Sequence, residues 1–230
     1  MKKRVFYTEI AYFLGLALLA FGTALTASGD LGVSMVVAPA YILHLFLSQY
    51  WPFFTFGVAE YLLQAIVLVV LVIVLRKAKL SYLLSFGATV FYGLCLDGGM
   101  KLTALLPSNI YLQVGVYLVG AVISCNALAL LFTSYLPPEA YELFSKELAA
   151  KFRKPVHTMV NFYNLGSLLV SVILSLVFFG GFRGIGIGTV VCAFAYGFVI
   201  QFFQKIYNRL FQFQDKFPLR KHFESTAAPE

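Results

Sequence analysis

Glu60 and Asp97 are the two carboxylates that fall within or at the edge of long apolar stretches, and neither has a basic partner in its own stretch. An ionised carboxylate at the centre of a spanning helix costs about 2.5–3.5 kcal/mol on insertion scales. Such a group is expected to have a task or a partner. The chemistry open to the pair is proton coupling or cation coordination at a shared vestibule; the alternative is two interfacial carboxylates touching water. Asn126 lies deep in another apolar stretch, where hydrocarbon offers it no partner. A hydrogen bond across helices is its first reading, with substrate contact second. Tyr92 and Tyr196 occupy matching places in the two halves of the chain, as do Glu60 and Asn164, and Asp97 and Gln201. The candidate binding or coupling set is therefore Glu60, Asp97, Asn126, Asn164, Gln201, Tyr92 and Tyr196.

No catalytic constellation accompanies these residues. The chain has no His-Glu-x-x-His, no Gly-x-Ser-x-Gly and no paired carboxylates in one helix, so an enzyme is not expected. Cys95, Cys125 and Cys192 lack CxxC spacing and a neighbouring histidine, and read as small buried side chains without metal. His44 and His157 stand singly near helix ends and read as structural. No cofactor is expected.

The elements that must carry these residues follow from composition. Apolar residues make up 60% of the 230 and charged residues 12%, against about 45–50% and 25% in soluble domains. The charge-free runs 10–29, 31–59, 61–75, 80–96, 102–138, 155–182 and 184–204 are long, and a spanning helix needs roughly 20 mostly apolar residues. The reading is an all-α integral membrane protein. Lys2, Lys3 and Arg4 resemble a signal n-region, but no small-residue cleavage site follows, so the first helix is expected to stay.

Seven apolar stretches can be drawn, near 8–29, 33–49, 54–75, 80–97, 110–134, 156–179 and 184–206. Cytoplasmic loops collect Lys and Arg. If 33–49 enters and leaves on one side, 15 of the 17 basic residues fall on the side of the termini, and only Lys101 and Arg183 fall opposite. The expectation is six spans plus one re-entrant or half-length helix, with both termini cytoplasmic. Gly32, Ser34 and Pro39 in the short stretch fit that shape. Trp51, Phe53 and Phe54 fit an interfacial aromatic belt.

A gap-free offset of 104 residues aligns the halves: Tyr92-Gly93 falls on Tyr196-Gly197, Lys101 on Lys205, Lys79 on Arg183. Each half reads long helix, short atypical element, long helix, long helix. In the second half the short element begins at Pro137-Pro138, a helix-start signal, and runs to residue 152 with a stripe of Tyr141, Phe144, Leu148 and Phe152. Glu142 with Lys146 and Glu147 with Lys151 line its polar side, so it is expected to lie in the interface. The first repeat is 1–104, the second 105–208 with the interfacial helix at 138–152, and 209–230 is a basic cytoplasmic tail. Three crossings per half invert one relative to the other, the mark of many secondary transporters. Gly29, Gly32 and Ser34 after the first helix, Pro137 and Pro138 in the second half, and Gly184, Gly186, Gly188 and Thr189 read first as helix breaks and close-packing positions.

Residues 183–201, Arg-Gly-Ile-Gly-Ile-Gly-Thr-Val-Val-Cys-Ala-Phe-Ala-Tyr-Gly-Phe-Val-Ile-Gln, resemble a segment of the YczE/YyaS/YitT family of bacterial membrane proteins. Tyr92-Gly93-Leu94-Cys95-Leu96-Asp97 is similar to that family's Gly-x-x-x-Asp ending, Gly29 to Ser34 to its small-residue turn, and Pro138-Glu139 to the second-half version of it. Gln201 stands where a second acidic residue is expected, and Leu136-Pro137 replaces a Gly-containing turn. The resemblance runs over roughly 10–205 and implies a multi-pass protein of the bacterial cytoplasmic membrane. The functional expectation is a secondary transporter of a small neutral or cationic molecule, proton coupling being one route. The other classes are a substrate-binding subunit of an importer with an energising partner, and a non-transporting accessory protein. Expected partners are membrane lipids, the small-molecule cargo and a second copy or energising subunit; nucleic acid is not expected.

Overall fold

The computed structural model describes residues 4–106, 109–137 and 139–216. Among them eight helices form: α1 (Thr8–Ser28), α2 (Ala38–Leu47), α3 (Phe56–Leu75), α4 (Leu80–Thr103), α5 (Ile110–Leu131), α6 (Ala140–Phe152), α7 (Val156–Phe179) and α8 (Ile187–Leu210). Six are long and apolar enough to span a membrane. α2 is apolar but has ten residues, about 15 Å of rise, half of a hydrocarbon core. The expected six spans plus one half-length helix is the architecture found.

Local chemistry sets the boundaries. Thr55 begins α3 by accepting the Val58 N–H at 3.2 Å, and Asn109 begins α5 by accepting that of Tyr111 at 3.0 Å. Pro39 sits in the first turn of α2, where its missing N–H is no loss. Gly180 closes α7 in the left-handed region at φ 65°.

α1 is the central helix, 61% buried over its apolar window, whereas α7 and α8 are 17% buried and present most of their surface outward. It packs along α5 in the most extensive contact of the fold. The reason is residue size: a Cβ on Gly22 would run into Ser124, and one on Gly120 into Leu25 and the Gly22 carbonyl. Backbones can approach that closely only where side chains are small. The turn after α1 closes against the start of α8. Val33 N–H donates to Gly184 O at 3.2 Å, Gly188 N–H to Leu31 O at 2.8 Å, and Thr189 Oγ1 to Val33 O at 2.7 Å. Gly32 has φ 97° and no room for a Cβ beside Gly186 and Thr189. Gly29 abuts Tyr117 of α5, and so does Gly188. Gly184 has φ 74° and faces Tyr41 and Ile42 of α2. These glycines are packing positions. Ser34 accepts the Val37 and Ala38 N–H groups on its carbonyl and leads into α2. Pro137 is buried and accepts the Tyr12 hydroxyl on its carbonyl at 2.7 Å; Pro138 lies outside the described residues.

The helix at 140–152 has one face against the molecule: α6 packs on α3, α4 and α7, with Ala140, Tyr141, Ser145, Leu148 and Ala149 buried, while Lys146, Ala150, Lys151 and Phe152 are exposed. Two of its charges have partners on neighbouring segments. Glu147 pairs with Lys79 at 2.7 Å rather than with Lys151, and Lys151 reaches the Val74 carbonyl at 2.5 Å, at the end of α3. The segment after 209 begins with regular structure. α8 runs to Leu210, and β2 (Phe211–Gln214) pairs in parallel with β1 (Arg4–Tyr7). Lys216 N–H donates to Glu9 at 3.0 Å, tying the two terminal segments side by side.

Packing in the two halves runs in parallel about the α1–α5 pair. α1 meets α4 as α5 meets α8, α2 meets α3 as α6 meets α7, and α2 meets α7 as α6 meets α3. Two correspondences are broken. α3 lies along α4, but α7 and α8 stand apart; and α4 touches α6, with no comparable packing of α8 on α2.

Candidate functional site

A cavity of about 330 Å³ occupies the middle of the molecule, lined from both halves. α1 contributes Thr23, α4 Tyr92 and α5 Ser124. The start of α6 contributes Glu139, Tyr141, Glu142 and Ser145; α7 gives Asn161, Tyr163 and Asn164; α8 gives Cys192, Tyr196 and Gly197. The starts of both short helices line it, Ser34 to Val37 before α2 and Glu139 before α6. No Lys, Arg or His is among the described residues lining it. Asn161, Ala193 and Gly197 are exposed although they line the cavity, so it opens where α7 and α8 part.

Behind Tyr141 lies a buried polar cluster. Gln64 of α3 donates from Nε2 to Glu60 Oε2 at 3.2 Å and to Glu139 Oε2 at 3.3 Å. Its Oε1 accepts from Thr89 Oγ1 at 2.5 Å and from the Ala140 N–H at 3.2 Å. Tyr141 Oη donates to Glu60 Oε2 at 2.8 Å. One amide thus bridges two carboxyls and caps α6. Glu60 is fully buried and Glu139 nearly so. Oε1 of each has no hydrogen-bond partner. An unsatisfied buried carboxyl oxygen is costly, and two carboxylates on one amide hold a proton between them more readily than two charges. Burial first, then Glu60 and Glu142, pushes the Glu139 carboxyl well above its ordinary range. Burial also raises Glu142, against the pull of Lys146.

The expected site residues separate. Tyr92, Asn164 and Tyr196 line the cavity, and Tyr92 donates to Thr23 Oγ1 at 3.1 Å. Glu60 sits one side chain behind the wall. Asn126 accepts from the Tyr207 hydroxyl at 2.8 Å, a link between α5 and α8 away from the cavity lining. Gln201 is exposed on α8, also outside the lining. Asp97 is not at a helix end, since α4 continues to Thr103. Its carboxylate accepts from Thr55 Oγ1 at 2.7 Å and from the Gly57 N–H at 2.8 Å, which fastens the start of α3 to α4. The shared vestibule of Glu60 and Asp97 is therefore absent from the described cavity; Glu60 is joined to Glu139 instead.

Gln64, Glu139, Tyr141, Glu142 and Tyr163 are the residues that sequence reasoning passed over. Gln64 was detectable as a polar residue one turn beyond Glu60 in an otherwise apolar stretch. Glu139 and Glu142 carried no such signal, because an acidic first turn reads equally well as a solvated helix start. His, Cys, Asp and Glu come together nowhere among the described residues in a group able to hold a metal ion.

The comparison with curated proteins and that with solved structures each find no match. The sequence does match one family across residues 6–205, nearly the whole chain and every helix that builds the cavity except the end of α8. This chain belongs to the family of unknown function DUF6198.

Proposed function

We propose that the chain is a small secondary-transporter-like protein that moves a small neutral or cationic molecule through the central cavity, coupled to protons at the Glu60–Gln64–Glu139 cluster. The observation that carries this reading is that the α3–α4 seam is closed while its counterpart, α7–α8, is open. The α3–α4 seam is closed by Asp97 with Thr55 and Gly57, by the Tyr61 hydroxyl on Val90 O at 3.1 Å, and by Thr89 on Gln64. A Cβ on Gly93 would strike the Tyr61 ring, whereas its counterpart Gly197 has open space around it. Two halves built alike but held differently supply two alternative openings for one site. In the second state α3 parts from α4 and α7 closes on α8. The Lys/Arg-rich loops support a cytoplasmic side for the termini, and with them for the open α7–α8 seam at the start of α7. The membrane is then the bacterial cytoplasmic membrane, in keeping with the YczE/YyaS/YitT resemblance.

The test is reconstitution of the purified protein alone into liposomes carrying an internal pH dye. A library of small amines and neutral solutes is added from outside. A subset is expected to drive proton flux, and Glu60→Gln to abolish that flux while leaving solute exchange. Folded protein that neither exchanges a solute nor moves a proton would remove the transporter reading in favour of a partner-dependent subunit.

A further inference from the structure

The cavity has a chemical bias that the transport reading leaves open. Its walls carry four tyrosine rings, Tyr92, Tyr141, Tyr163 and Tyr196, from four different helices. Its charged wall residues are Glu139 and Glu142, and no cation faces them from the lining. The groups around the Glu139–Glu60 pair on the packed elements are Tyr12 of α1, Tyr92 of α4, Tyr163 of α7, and Tyr141 and Glu142 of α6. All are neutral or negative. The positive side chain that acts on Glu142 is Lys146, exposed one turn beyond it. Glu139 is buried, lines the cavity and has one oxygen without a partner. A ligand group that satisfies it must be a donor or a cation.

We propose that the cavity is an organic-cation site, in which an ammonium group sits against Glu139 and its apolar body against the faces of Tyr141, Tyr163 and Tyr196. The inference rests on the cavity being the cargo site proposed above. Glu139, giving up its proton as the cation enters, supplies the counter-charge, and aromatic faces attract a desolvated cation further. Metal cations fit less well: the site lacks the three-ligand group that would hold one, and its rings and apolar neighbours favour a greasy ion. The cavity volume of about 330 Å³ admits a single-ring amine.

The experiment uses benzyltrimethylammonium and its uncharged carbon isostere, neopentylbenzene, with benzenesulfonate as the anion. Binding to the full chain in nanodiscs is followed by calorimetry. The cation is expected to bind at least tenfold tighter than the isostere, and the anion not at all. Glu139→Gln should erase the cation's advantage. Glu142→Gln, tested because Glu139→Gln could alter folding, should reduce it less; the melting transition of each variant reports whether it is folded. Isostere affinity equal to the cation's, or a preference that survives in both folded variants, overturns the proposal. Cation binding that depends on Glu139 but yields no exchange in liposomes removes the transporter reading and leaves the site. Exchange of the isostere without the cation does the reverse.

Discussion

Replacing Asp97 by alanine is the most direct perturbation of the closed α3–α4 seam. The carboxylate accepts two short hydrogen bonds, at 2.7 Å from Thr55 and 2.8 Å from Gly57. Hydrogen bonds to a charged group contribute about 1.5–3 kcal/mol each, so the variant loses roughly 3–6 kcal/mol from the closed arrangement. If that arrangement alone holds the bonds, the population with α3 parted from α4 rises by about two to four powers of ten. Spin labels at Phe53 and Leu102, both exposed near the far ends of the two helices, would report the separation by double electron–electron resonance. Wild type should give a narrow short distance and Asp97→Ala a longer, broader one. Asp97→Asn, which keeps one acceptor oxygen, should fall between. A paired measurement of melting separates opening from unfolding. An Asp97→Ala distribution that matches wild type in a folded protein would refute the reasoning, and Asp97 would be only a helix cap.

Other consequences concern charge and packing. The raised Glu139 carboxyl lets the folded state hold a proton that the unfolded chain has released. Stability should therefore decline as pH rises above the ordinary carboxylate value of 4.5 and level off once the folded group has titrated. Glu139→Gln should flatten this slope in a melting series from pH 4.5 to 8, and an unchanged slope counts against the burial argument. Gly22→Val forces a branched side chain into Ser124 of α5. A loss of about 1–3 kcal/mol or more is expected, seen as a lower melting temperature, because overpacking at a closed interface has nowhere to relax. Lys79→Ala leaves Glu147, a mostly buried carboxylate, without its cation. It should destabilise α6 by more than the ~1 kcal/mol of an exposed pair, and Glu147→Gln in the same background should restore part of the loss. Retention of full stability in Lys79→Ala would show that the pair is solvated.

Much of this protein is legible one segment at a time. A bilayer solvent makes length, charge-free runs and Lys/Arg placement near-sufficient for finding helices. The six spans, the short α2 and the breaks at Gly32 and Gly184 follow from residues within each segment. The offset of 104 marks Gly93 and Gly197 as equivalent without any coordinates. What their equivalence conceals is that one is packed and the other open: Tyr61 meets Gly93, whereas Leu165, at the same 32-residue separation, does not reach Gly197.

The partners of the charges were decided by tertiary structure alone. Asp97 and Glu60 look alike in sequence, each an acid amid apolar residues, yet one is saturated by Thr55 and Gly57 and the other shares Gln64 with Glu139, 79 positions along the chain. The amphipathic stripe of α6 specifies one apolar and one polar face, and those two faces suit a membrane interface as well as a niche among α3, α4 and α7. Periodicity records only that a face is buried. What it is buried against depends on which helices fold back beside it, and that is set by close approach at α1 and α5, where Gly22 and Gly120 let the two halves meet.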